Sequence, residues 1–187
     1  MNRLVGLCLT CLVGTSLLAA EPSTKPATQP ADCLVGEMRI QTLAQAHYVY
    51  ATTQTTLATI TDAITKLMPS LEKLITDGKV KPSGPVVLVY QGATGDPAQK
   101  FALEVGIVVA KDQQPVDDFK VRKLAAQKSA TVLFTGAPRN IGKAWEKLMG
   151  SLFAAGHQPD GEMREYYLYW EGVESPNNVV LIQVGIR

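Results

Sequence analysis

The residues best able to do chemistry are one carboxylate and a group of rings. Glu104 lies within Phe-Ala-Leu-Glu-Val-Gly-Ile, residues 101–107. Side chains alternate along a strand, so Leu103, Val105 and Ile107 share one side and Ala102, Glu104 and Gly106 the other. If the second side is solvated, Glu104 is an ordinary strand acid. If it lines a cleft, Glu104 is a carboxylate short of water that needs a cation or a donor, with Ala102 and Gly106 leaving room for a ligand. Aromatic residues are only 6% of the chain, yet Tyr48, Tyr50, Tyr90, Trp145, Tyr166, Tyr167, Tyr169 and Trp170 are bunched. Rings bury large area with few rotatable bonds, and their faces attract cations. Along 164–170, alternation puts Glu165, Tyr167 and Tyr169 on one side and Tyr166, Leu168 and Trp170 on the other. Each ring also suits plain core packing. Trp145 does so above all, beside Leu148 and Met149 on a helical apolar face. The expected ligand-binding set is Glu104, Tyr48, Tyr50, Tyr90, Trp145, Tyr167 and Tyr169.

No catalytic or metal pattern accompanies them. There is no nucleophile elbow, no Gly-Lys-Ser/Thr phosphate loop and no closely spaced pair of catalytic carboxylates. His47 and His157 are far apart and belong to no metal-spaced cluster. No metal and no cofactor is expected.

The elements that must position these residues come in two copies. Glu37 to Ala44 reads Glu-Met-Arg-Ile-Gln-Thr-Leu-Ala, and Asp118 to Ala125 reads Asp-Phe-Lys-Val-Arg-Lys-Leu-Ala. Each copy continues with an extended run, a helical segment, a Pro-x-Gly turn (Pro82-Ser83-Gly84, Pro159-Asp160-Gly161), an aromatic strand and a last apolar strand. In the first copy Leu57, Ile60, Ile64, Leu67, Leu71 and Leu74 recur at helical spacing, with Thr55 or Thr56 to cap the start and Asp77-Gly78 to end it. Pro69 should kink or divide that helix. Ile141, Trp145, Leu148, Met149 and Leu152 mark the second helix, closed by Gly156. Repeat one spans about residues 36–111 and repeat two about 117–187, within one domain over 36–187. A duplicated unit implies a pseudo-two-fold axis, and the groove between its halves is a natural ligand site.

Residues 1–20 carry Arg3 and then an uncharged apolar run from Leu4 to Leu18, followed by Ala19 and Ala20. This reads as a secretory signal peptide, so the expected location is periplasmic or extracellular; a retained anchor is the alternative. Residues 21–35, with three prolines, read as a disordered tether. Removing residues 1–20 takes away one Arg and no acid, leaving equal numbers of basic and acidic residues. A neutral chain argues against a nucleic-acid partner or a polybasic membrane role, and no stable membrane insertion is expected after cleavage. Cys33 would then be the single cysteine, a free thiol at a flexible edge.

In order and spacing, several segments resemble the GyrI-like, or AraC-type effector-binding, domain family. They are Ile40-Gln41-Thr42-Leu43-Ala44, Phe101 to Ile107, Phe119-Lys120-Val121-Arg122-Lys123-Leu124, and Phe134-Thr135-Gly136-Ala137-Pro138 with Ala144-Trp145-Glu146. Arg164-Glu165-Tyr166-Tyr167 and Val180-Leu181-Ile182-Gln183-Val184 complete the set. The resemblance implies an α+β fold of tandem pseudo-symmetric β-α-β-β repeats, SHS2-like, with an antiparallel sheet backed by two main helices. It also implies a cleft that takes amphipathic, often cationic, small molecules through rings and a buried carboxylate. The chain departs from regulators of that family, which carry a DNA-binding segment where this one has an apolar leader and a tether. It also has Leu181 where many relatives have an acid. The expected function is a non-enzymatic, exported binding domain for an amphipathic or aromatic ligand, cationic or neutral. A hydrolase using Glu104 as base and Tyr167 as donor is the alternative. A haem-binding relative, with His47 or His157 as ligand, is a third.

Overall fold

In the computed structural model the described residues are 33–187, so the expected signal peptide and residues 21–32 of the tether lie outside them. Two short strands, β1 (Cys33–Val35) and β2 (Arg39–Leu43), lead into β3 (Ala46–Thr55), α1 (Ile60–Thr76), β4 (Pro82–Gln91) and β5 (Phe101–Val109). The second copy follows as β6 (Lys120–Leu124), β7 (Gln127–Gly136), a 3₁₀ turn (Pro138–Asn140), α2 (Ile141–Ala154), β8 (Pro159–Tyr169) and β9 (Val179–Ile186). The strands form one antiparallel sheet in the order β1-β7-β9-β8-β4-β5-β3-β6, with β2 also paired to β7. The fold is therefore α+β, with strand-helix-strand-strand repeats meeting at the central β4–β8 pair.

Local chemistry explains most boundaries and corrects several. The tether was expected to reach residue 35, but Cys33–Val35 is a strand on β7, and Cys33 is half-buried. Helix α1 begins at Ile60, after Leu57, because the hydroxyls of Thr55 and Thr56 both bond that of Thr59 and hold a turn there. It runs through Pro69. That residue and Thr65, whose carbonyl loses its donor, are both exposed, so water can serve the freed group. The Pro-x-Gly segments are not turns between elements. They lie inside β4 and β8, where the register shifts between Pro82 and Val86 and between Pro159 and Met163. Gly161, at φ 96°, supplies the conformation such an irregularity needs.

Two-residue links join β2 to β3 and β6 to β7, although these strands belong to opposite ends of the sheet. Three Cα steps reach only about 11 Å, so the ends must approach one another and the sheet must curl. Both helices pack on one face, α1 mainly over β3 and β5 and α2 mainly over β7 and β1. The opposite face turns into the curl. There Tyr48, Val87, Val89 and Leu124 make a small buried cluster, and Arg164 donates twice to the Ala125 carbonyl at the β6–β7 link.

Candidate functional site

On the helix-bearing face, β4 and β8 form the floor between α1 and α2. Their register pairs Leu88 with Glu165, Val86 with Tyr167 and Tyr90 with Met163. The two-fold between the repeats therefore makes Leu88 equivalent to Glu165 and Tyr90 equivalent to Tyr167. Above them, Ile64 from α1 and Trp145 from α2 border the same apolar cluster. The halves match in shape but not in chemistry: one offers Leu88 and Ile64, the other Glu165 and Trp145.

Glu165 is the centre of this arrangement, and it is only 2% exposed. Trp145 donates from Nε1 to Oε1 at 2.6 Å, and the Tyr167 hydroxyl donates to Oε2 at 2.8 Å. Tyr90 donates a further bond to the carboxylate. Burial pushes the Glu165 carboxyl above the usual range, and the three donors only partly counter it. Burial and the neighbouring acid likewise push Tyr90 and Tyr167 up. The rings brace one another: Trp145 meets Tyr90 edge-on at 5.6 Å, and Trp170 meets Tyr167 edge-on at 5.6 Å. Among the described residues no basic side chain forms an ion pair with Glu165. It is a buried carboxylate solvated by neutral donors alone.

Glu104 stands on the other face, and there its charge is already matched. Arg122 of β6 donates to it from Nε at 3.0 Å and from Nη2 at 2.6 Å, and Tyr48 donates a short bond. The same guanidinium reaches Glu162 at 2.8 Å, which also pairs with Arg164 at 2.6 Å. Burial works against charge on Glu162, but Arg164 and Arg122 hold its carboxyl below the usual range. For Arg122, the opposing effect of burial is more than offset by the Glu104 hydrogen bond and the surrounding negative charge, so its proton is held tighter than usual. Burial and Glu104 together push the Tyr48 phenol far up. The space expected beside Glu104 is filled. A Cβ on Gly106 would fall 2.7 Å from the Tyr48 ring and 2.1 Å from the Val49 carbonyl, so the glycine lets the ring, not a ligand, approach.

The expected binding set is thus split by the sheet. Tyr90, Trp145 and Tyr167 come together on the helix-bearing face, and Glu104, Tyr48 and Tyr50 lie on the opposite one. Tyr169 joins neither group. A one-residue bulge between Tyr167 and Tyr169 breaks the alternation, so Tyr169 is half-exposed and bonds Glu171, and Trp170 takes the place against Tyr167. The acid that sequence reasoning passed over is Glu165. Its signal was its place two residues before Tyr167, on the same side of β8. A surface depression of about 280 Å³ lies elsewhere, at the C-terminal end of α1, over Ala51, Leu74 and Phe119, with the Lys73–Asp77 and Lys79–Asp117 ion pairs on its rim. It contains none of the rings or carboxylates above. Among the described residues no cluster of His, Cys, Asp or Glu could hold a metal.

A family model, the GyrI-like small molecule binding domain, matches residues 36–187. The chain belongs to this GyrI-like family. Solved structures agree on the fold. The EcmrR C-terminal domain superposes with a TM-score of 0.68 at 13% identity, covering 81% of this chain and 97% of that one. EcmrR in its DNA complex gives 0.69 at 13% identity over 81% of this chain, which spans only 57% of the EcmrR chain. SAV2435 bound to tetraphenylphosphonium gives 0.61 at 16% identity, covering 81% and 94%. A hydrolase from Listeria innocua gives 0.52 at 8% identity, covering 81% and 92%. No functionally curated protein matched the chain. As a GyrI-like domain, the protein has its family's small-molecule-binding fold over nearly all the described residues.

Proposed function

We propose that this GyrI-like domain binds an amphipathic aromatic cation between α1 and α2, with Glu165 as the anionic anchor. The observation that carries the reading is a carboxylate buried at the junction of the repeats with no cation of its own. Such a group is costly unless a positive charge completes it. Tyr90, Trp145, Tyr167 and Trp170 supply faces for a flat or cationic partner, and Leu88 and Ile64 accept its apolar end. Five side chains on the N-terminal part of α1, Ile60, Ala63, Ile64, Leu67 and Met68, pack on this cluster yet are only partly buried. They are the natural elements to part when a ligand reaches Glu165. One relative, SAV2435, was solved with tetraphenylphosphonium, which makes that compound a sensible first probe.

The alternative of hydrolysis by Glu104 and Tyr167 draws no support from the geometry, because the two stand on opposite faces of the sheet. We further propose that the domain acts outside the cytoplasm and apart from DNA. The charged-then-apolar leader supports the first point, and the equal numbers of acidic and basic residues after it support the second. The test is calorimetric titration of residues 21–187 with tetraphenylphosphonium and with neutral triphenylphosphine oxide. Micromolar binding of the cation, with much weaker binding of the neutral compound, is the expected result. Equal affinity for both, or no heat from either, rejects the reading.

A further inference from the structure

On the face away from the cleft, the structure holds a second constellation built to recognise a cation. The rings of Tyr48 and Tyr50 lie parallel, 4.9 Å apart with 8° between their planes. The Arg122 guanidinium carbon sits 5.3 Å from one ring centre and 5.6 Å from the other. Its Nε and Nη2 reach Glu104 at 3.0 and 2.6 Å, Nη2 also reaches Glu162 at 2.8 Å, and Nη1 donates to the Lys123 carbonyl at 3.2 Å. A planar fork with aromatic faces on one side and carboxylates at its N–H edge is what a guanidinium needs and a compact ammonium does not match.

We infer that Tyr48, Tyr50, Glu104 and Glu162 form a binding site for a monosubstituted alkylguanidinium, which Arg122 keeps filled in the native chain. The walls and the occupant come from different strands. Tyr48 and Tyr50 stand on β3 and Glu104 on β5, each fixed by pairing on both sides, while Glu162 lies in the irregular stretch of β8 before Met163 and is held by bonds from Gln91 and Arg164. Arg122 stands on β6, five residues long at the end of the sheet order, paired only to β3. Deleting its side chain therefore removes the ligand and leaves the site. Access exists as well, since the Arg122 side chain keeps 24% of its surface in solvent. The occupancy has a consequence for specificity. The Glu104–Glu162 pair is closed to outside cations, so the free anionic anchor among these three acids is Glu165. The inference does not depend on the cleft binding anything.

Chemical rescue tests it. Arg122→Ala strands Glu104, while Glu162 keeps Arg164, and should lower the Tm by about 5–10 °C. Methylguanidinium or ethylguanidinium at millimolar concentration should then restore at least half of that loss, by binding only the folded state. The wild-type Tm should not rise, and methylammonium should restore far less. Adding Glu104→Gln to the variant should abolish the rescue. Arg122→Gln, which keeps the stem's bulk, serves if the alanine variant folds poorly, with binding read by titration calorimetry. The inference fails if neither variant responds to alkylguanidinium, if methylammonium rescues equally, or if the wild type is stabilised to the same extent.

Discussion

Glu165→Gln should stabilise the ligand-free domain while disabling it. The replacement fits without rearrangement: its Oε1 can accept from Trp145, and its Nε2 can donate to the hydroxyls of Tyr167 and Tyr90, which reverse roles. What changes is charge. A hydrogen bond to a charged acceptor contributes about 1 kcal/mol more than a neutral one, so three bonds lose about 3 kcal/mol. Keeping an unpaired carboxylate out of water costs several kcal/mol, which the variant no longer bears. The raised pKa of Glu165 shows that desolvation outweighs the bonds. The expected net gain is therefore about 1 kcal/mol near neutral pH, or about 2–4 °C in Tm. The sign fixes the pH dependence. A carboxyl with a raised folded-state pKa favours folding fully below the unfolded value. It loses that contribution as pH rises through the folded value. Wild-type stability should fall over that window, and that component should be missing from Glu165→Gln. Ligand binding should move the other way. A monocation about 5 Å from the carboxylate gains about 3 kcal/mol at an effective dielectric near 20, so the variant should bind tetraphenylphosphonium roughly 100-fold more weakly. Wild-type affinity should rise with pH through the same window. Thermal melts from pH 4 to 9 and calorimetry on both proteins measure all of this. A variant less stable than wild type at pH 7.5 that still binds the cation normally would refute the argument.

Other substitutions separate the two faces. Glu104→Gln should cost about 2–3 kcal/mol in denaturant melts, because it leaves Arg122 half-paired, yet tetraphenylphosphonium affinity should stay within about threefold. Trp170→Ala should weaken the cation by roughly 3–10-fold, through lost ring contact at Tyr167, and Tyr169→Ala should leave it unchanged. Competition binding reads that difference, and equal effects would contradict the bulge. Gly106→Ala should cost about 3 kcal/mol or more, because a methyl there collides with the Val49 carbonyl and the Tyr48 ring. A normal chemical denaturation midpoint would show that the close approach is not real.

Much of the architecture was legible because it rests on local periodicity. Helical spacing in Ile60–Leu74 and Ile141–Leu152, alternation in Phe101–Val109, and the duplicated segments all survive in the folded chain. So does the placing of Tyr48 and Tyr50 on one side of β3 and Val49 on the other. These follow from side-chain direction within one element, which neighbouring residues determine.

The candidate site depended on information that no single segment carries. Alternation shows which residues share a face, but not which face the helices will cover. By alternation alone, Glu104 and Glu165 are each an acid on one side of a strand. Only the curl, forced by the short β2–β3 and β6–β7 links, set Arg122 against Glu104 and left Glu165 among neutral donors. The bulge after Tyr167 exchanged Tyr169 for Trp170 for the same reason, since it exists only in the pairing of β8 with β9. The sequence by itself determined the elements, their duplication and the presence of a carboxylate among rings. The tertiary structure decided which carboxylate kept its charge uncompensated, because burial and Coulombic pairing arise between strands distant in the chain.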